Sequence, residues 1–389
     1  MLIYIISHNI VISPWDIHGS IEERYWIYKD VIDFIMKKGY SEILWYSTKN
    51  KQLLRMSSAQ RRSIMINGFQ YLALLVKDAI RVREPMIIII AYPYVLEGLN
   101  KLLLLLVLTT LKTISLFKKN IVIIIDDIDP PVETAISDST KPLSMLKYFM
   151  LRAYDLLLLK RSTLIVVLTE SYRNYISHMY KIPIEKFIII PPPALCKLIP
   201  YSPPKNEGPL TILYSGVVKK ERNIEPLIQA INELRNEGYK INFIITSPLI
   251  QMSLPSNIDC RNYPWPKYVR EALSKADVAI IPYRHDKIHY SYTLVAKLFD
   301  YLTAGKPVIT TPLYETLKIL RKCKCGFVFI DKENLKNVFK FIYANRMVLT
   351  AMSKRGRQIM EKEFCDSVLA LKLFHGIIRM LSDKYHRRV

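Results

Sequence analysis

The chain has 389 residues, half of them hydrophobic and 23% charged, which excludes a disordered polypeptide and leaves room for two domains with separate cores. Lysine and arginine outnumber aspartate and glutamate by 56 to 34, giving a net charge of +22. That surplus needs an anionic environment: nucleic acid, acidic lipid or phosphorylated small molecules. No RNP pattern, zinc finger or basic-heptad motif accompanies it, so nucleic acid is not the expected partner.

In chain order, residues 2–6 are apolar and β-branched. No basic stretch precedes them and no small-residue cleavage site follows, so they read as a first buried strand and not as a leader. Trp15-Asp16-Ile17-His18-Gly19-Ser20 separates this strand from a helix over 21–38. Further apolar strands are predicted over 86–91, 121–125, 164–168 and 187–190, with helices over 71–83 and 143–158 between them. The leucine-rich run at 99–117 is interrupted by Lys101 and Lys112. About ten apolar residues remain, too few for a bilayer of roughly 30 Å, which leaves a buried or membrane-surface helix. Pro191-Pro192-Pro193 ends a strand, and residues 200–209 break all regular structure. The domain boundary is therefore placed there, giving 1–203 and 204–389. Strands over 211–214, 241–245, 278–281 and 307–310 alternate with helices over 224–237 and 295–303. Basic helices over 334–343, 348–362 and 367–388 close the chain. Continuous apolar strands alternating with helices specify an α/β fold: two Rossmann-like, doubly wound parallel sheets.

The five cysteines, Cys196, Cys260, Cys323, Cys325 and Cys365, are odd in number and match no zinc or redox spacing. They read as thiols in a reducing compartment, and no metal site is expected.

Ligands of open parallel sheets bind beyond the carboxyl ends of the strands. After the strand at 211–214 come Ser215, Gly216, then Lys219, Lys220 and Arg222 before a helix. A glycine lets phosphate approach the backbone, and a helix start offers free N–H groups and a positive dipole end. The alternative is a solvated basic loop. Further on, Lys297-Leu298-Phe299-Asp300 opens a helix that ends at Gly305, with a strand following at once. Asp300 lies where a carboxylate accepts from a ribose diol, or where it merely complements a helix dipole. In Tyr263-Pro264-Trp265-Pro266, the indole of Trp265 reads as a neighbour of a nucleobase or as a core anchor. His18 is a proton-transfer candidate or polar loop surface. Asp126 and Asp127 follow an apolar strand, and read as groups orienting an acceptor hydroxyl or as turn caps before Pro130.

The segments at 211–223 and 276–310 together resemble glycosyltransferase family 4 and its GT-B relatives. More weakly, so do residues 168–172 and 188–192. The resemblance implies two domains facing a central cleft, with the acceptor on the first and a nucleotide-diphosphate sugar on the second. It places the diphosphate on Gly216 and Arg222 beside Ser215 and Lys220, and the ribose on Asp300. Lys297 matches a lysine one turn before the acid. Gly19 belongs to a loop near the donor phosphates. Transfer with retention, no bound metal and no cofactor follow from the same resemblance, as does a last helix packing on the first domain. There are departures. Asp300 replaces the usual glutamate, and Val217 stands where an arginine often follows the glycine. Thr293, between Tyr292 and Leu294 in the donor loop, replaces an acid seven positions before Asp300. The expected function is a sugar transferase. The alternatives are a nucleotide-sugar 2-epimerase or an inactive partner subunit that binds nucleotide sugar.

Arg55, Arg61 and Arg62, the leucines of 99–120 with Lys101, Lys112, Lys118 and Lys119, and Tyr25, Trp26 and Tyr28 suit an anionic membrane interface. A lipid-linked acceptor and a cytoplasmic, peripheral membrane location are expected on that ground.

Overall fold

Runs such as Ile87-Ile88-Ile89-Ile90 carry no polar face, so their strands must be covered on both sides. The computed structural model satisfies this in two compact units. It describes residues 1–7, 20–37, 42–57, 60–92, 101–118, 121–138, 145–219, 222–255, 258 and 260–386.

The first unit is built chiefly from Arg24–Pro191, together with β1 and the last helix from Leu369. Its elements are β1 (Leu2–Ser7), α1 (Ser20–Lys37), β2 (Glu42–Ser47), β3 (Gln52–Ser57), β4 (Arg61–Met65), α2 (Gly68–Arg81), β5 (Met86–Tyr92), α3 (Lys101–Phe117), β6 (Ile121–Asp127), α4 (Pro131–Asp138), α5 (Met145–Arg161), β7 (Leu164–Val167), α6 (Glu170–Tyr180) and β8 (Phe187–Ile189). The sheet order is β4-β3-β2-β1-β5-β6-β7-β8. Strands β2, β1, β5, β6, β7 and β8 are parallel, and β1, β5 and β6 are buried throughout. The expectation of wholly parallel sheets is corrected at one edge. β2, β3 and β4 form an antiparallel meander. Its outer strand, β4, escapes a sequence reading because it is exposed along its whole length and so lacks the apolar run that marks a buried strand. Arg61 and Arg62 on this edge discourage pairing with another chain. A second correction concerns Tyr25, Trp26 and Tyr28. They are buried against the sheet and form no part of a surface, and the Tyr28 hydroxyl donates to Asp126.

The second unit runs from Pro192 to Val368. It contains β9 (Leu210–Ser215), α7 (Ile224–Asn236), β10 (Ile241–Thr246), β11 (Cys260–Arg261), α8 (Trp265–Tyr268), β12 (Val278–Ile281), α9 (Lys297–Thr303), β13 (Val308–Thr310), α10 (Tyr314–Cys323), β14 (Gly326–Val328), α11 (Lys332–Ala344) and α12 (Met347–Ile359). The terminal helix α13 spans Asp366–His386. Six parallel strands lie in the order β11-β10-β9-β12-β13-β14. Gly305 closes α9 at φ +78°, and a Cβ there would strike the ring of Tyr201.

The cysteines also depart from expectation. Cys196 is paired with Cys365 and Cys323 with Cys325. The first pair is 169 residues apart in sequence, so only the fold brings it together. Ala194 bridges Cys365 in parallel, with its N–H donating to Phe364 at 2.7 Å.

The proline-rich segment after Pro192 is held to the second unit by two buried charges. Asp277 accepts from the Lys205 and Thr211 amides, both at 2.8 Å, and pairs with Arg346 at 3.4 Å. Lys306 is wholly buried and donates to the Ser202 and Ser274 carbonyls. Burial, opposed by Asp277, pushes its ammonium from an ordinary 10.5 down to about 8. Below about pH 8 the folded and unfolded chains both carry the proton, and the cost of burying the charge is full. Between about 8 and 10.5 the unfolded chain still binds a proton that the folded chain has lost, so stability rises with pH in that window. The gain should be on the order of 3 kcal/mol, by about 1.4 kcal/mol per unit. Urea unfolding across this window should show the rise in wild type. It should be absent from Lys306→Met.

Candidate active site

In the second sheet the strand order reverses between β9 and β12, so the carboxyl ends of these strands bound a natural ligand crevice. β9 delivers Ser215, whose N–H donates to the Tyr301 hydroxyl at 3.0 Å. Gly216 follows at φ +134°, with its N–H bonded to the Thr246 carbonyl at 2.9 Å. A Cβ at this position would collide with Nζ of Lys297. The missing side chain is what lets the ammonium settle against the loop backbone. The Tyr214 hydroxyl donates to the Val217 carbonyl at 2.7 Å and holds the turn.

β12 delivers Tyr283. Lys297 Nζ donates to its hydroxyl at 2.6 Å and lies 5.3 Å from its ring centre. The Arg222 guanidinium sits over the same ring at 4.2 Å and donates to the Tyr290 hydroxyl. Burial would raise the Tyr283 phenol, but Lys297, Arg222 and then Lys219 outweigh it and hold the group below its ordinary 10.0. Three cations thus act on one buried phenol. Asp300 is buried in the first turn of α9, one turn after Lys297. The helix α7 that follows Arg222 has no side-chain cap on its first amides. Concentrated positive charge, a close-approach glycine and an uncapped helix start make a site for a polyanion.

The structure therefore brings Gly216, Arg222 and Lys297 together, with Ser215 and Asp300 adjoining. Tyr292 and Thr293 follow a 3-10 turn, and both the amide and the hydroxyl of Thr293 donate to the His289 carbonyl at 3.1 Å. Trp265 is buried at the start of α8. His18, Gly19 and Lys220 lie outside the described residues. Asp126 and Asp127 are buried in the first unit, engaged by the hydroxyls of Tyr28 and Tyr172. Burial, then Asp155, raises Asp127 well above the usual carboxylate range. Sequence reading missed Tyr214, Tyr283, Tyr290 and Tyr301 as site residues. The signal available was a tyrosine at the end of each of β9 and β12.

Residues 209–345 match the family profile described as Glycosyl transferases group 1. No curated protein sequence matches. Among solved structures, sucrose-phosphate synthase (tll1590) from Thermosynechococcus elongatus is similar at 14% identity and a TM-score of 0.66, covering 98% of this chain and 99% of that one. A glycosyltransferase from Rickettsia africae ESF-5 is similar at 11% identity and a TM-score of 0.61, covering 98% of each chain. Anabaena Alr3699/HepE, solved in complex with UDP and glucose, gives 10% identity and a TM-score of 0.58 over 96% of this chain and 98% of that one. The whole chain has the GT-B fold of these glycosyltransferases, and its second unit carries the group 1 match.

Two measurements probe this arrangement. Ultraviolet titration should find a tyrosine ionising below its ordinary range in wild type, and Lys297→Met should abolish that early transition. Gly216→Ala should displace Lys297, cost roughly 1–3 kcal/mol of stability through backbone strain, and abolish the same transition.

Proposed function

We propose that the protein transfers a hexose, with retention, from a nucleoside-diphosphate sugar to an acceptor held at a membrane. The carrying observation is the convergence of Lys219, Arg222 and Lys297 on Tyr283 beside Gly216. In the transfer the bond between the anomeric carbon and the diphosphate oxygen breaks, and its electron pair stays on the diphosphate. Fixed cations stabilise that developing charge most when they are already in place before the reaction. Arg222 and Lys297 are in place, each held by a tyrosine hydroxyl. Cations supplied by the protein support a metal-independent reaction. Asp300 is assigned the ribose hydroxyls. The complex of HepE with UDP and glucose supports a nucleotide-sugar donor, and retention rests on the family resemblance.

A second reading is an inactive subunit that keeps donor binding. It is favoured by Thr293, whose hydroxyl is tied into a turn where the resemblance places an acid.

Thermal unfolding with nucleoside diphosphates and nucleotide sugars tests the site. One nucleotide should raise stability by about 2.7 kcal/mol at a hundredfold excess over Kd, and Arg222→Ala and Asp300→Ala should each lose most of that gain. No shift with any nucleotide refutes the donor site. A shift without release of nucleoside diphosphate in turnover favours the inactive subunit.

A further inference from the structure

The first unit presents a helical face that the donor site does not use. α3 packs between α2 and α5, so the three helices form one continuous layer on the sheet. α3 turns Leu104, Leu108 and Leu111 inward and leaves Leu102, Leu106, Leu116 and Phe117 outward, with Leu102 72% and Phe117 82% exposed. On α2, Phe69 and Ile80 are exposed. On α5, Met145, Leu146, Phe149 and Met150 are exposed. Between α2 and α3 lies an apolar cleft of about 510 Å³, lined by Phe69, Leu72, Val76, Ile80, Leu103 and Val107.

Charge decides what covers this face. Lys77, Arg81, Lys101, Lys147 and Lys160 are exposed on the same three helices. Their acids are only two. Asp155 is buried and Asp78 is half-buried, accepting from the Tyr4 hydroxyl. A second copy meeting this face through two-fold symmetry would set cations against cations. The threonines of α3 are compatible with the same surrounding. Thr109, Thr110 and Thr113 donate their hydroxyls to the carbonyls four residues back, at 2.7, 3.0 and 3.1 Å. That satisfies the polar hydrogens within the helix, as an apolar surrounding requires. No helix among the described residues is long and apolar enough to cross a membrane, so contact would be with the surface of a bilayer.

We propose that the outer face of α2, α3 and α5 docks on a bilayer containing anionic lipid, the exposed leucines and phenylalanines entering the interface and the lysines and Arg81 meeting the headgroups. This extends the proposed function by giving the acceptor a location, and vesicle binding is read without the donor site.

Vesicle flotation with phosphatidylcholine alone and with added phosphatidylglycerol makes the test, at low and high salt. Wild type should bind the anionic vesicles, lose most binding in high salt and bind neutral vesicles weakly. Changing Lys77, Lys101 and Lys147 together to serine should weaken binding on the order of a hundredfold. Leu106→Glu with Phe149→Glu should abolish it while leaving the far-ultraviolet circular dichroism and the cooperative urea unfolding of wild type intact, which shows that the variant is folded. Absence of wild-type binding, equal binding to neutral vesicles, or unaltered binding by the glutamate variant overturns the proposal. So does a dimer in solution that the glutamate variant dissociates, because that assigns the face to a second copy. Vesicle binding without any nucleotide shift leaves this inference standing and refutes the donor site alone.

Discussion

The ammonium of Lys297 rests against the backbone at Gly216, and the rest of the cationic cluster is arranged around that contact. Lys297 and Arg222 repel one another, and Tyr283 makes their proximity tolerable. It offers its hydroxyl to the lysine and its ring face to the guanidinium. Phenolic oxygen and aromatic face are both electron-rich, so one side chain serves two cations. The contact also fixes α9 relative to the β9 loop, and with it the position of Asp300.

The same rule governs the frame: a charge removed from water needs partners already in place. Asp277 has two amides and Arg346, and Lys306 has two carbonyls. In the first unit, Arg152 donates to Glu133 and Tyr175, each at 2.6 Å, and to Tyr180 at 3.2 Å. Tyr180 in turn donates to Asp155 at 2.6 Å, and burial pushes that carboxyl up to about 6. Burial likewise raises Asp127 well above the usual carboxylate range, with the Asp155 charge adding to it. Acids at the end of β6 that look like exposed functional groups in the sequence are thus absorbed by a tyrosine-rich core.

The two units use their cations differently. In the second, Lys297 and Arg222 are drawn inward against tyrosines. In the first, Lys77, Arg81, Lys101, Lys147 and Lys160 stay in water beside exposed leucines and phenylalanines. Net charge alone does not separate these arrangements, since both contribute to the surplus of +22.

Much of the fold was legible because continuous β-branched runs have only one favourable environment, the interior of a covered parallel sheet. β5, β6 and β12 were marked in this way, and the glycine that closes α9 was equally plain. The edge strand β4 carried no such signal, because it is exposed along its whole length and needs no apolar face. Gly216, Arg222 and Asp300 were readable as a pattern of glycine, basic loop and acid. That Lys297 lies on Gly216, and that four tyrosines line the cluster, depended on β9 and β12 becoming neighbours although they lie far apart in the chain. The pairing of Cys196 with Cys365 and the burial of Tyr25, Trp26 and Tyr28 were decided in the same way. Local sequence determines the conformation a segment prefers, whereas only the packed structure determines which distant groups share a low-dielectric space, and there charge and hydrogen bonding count most.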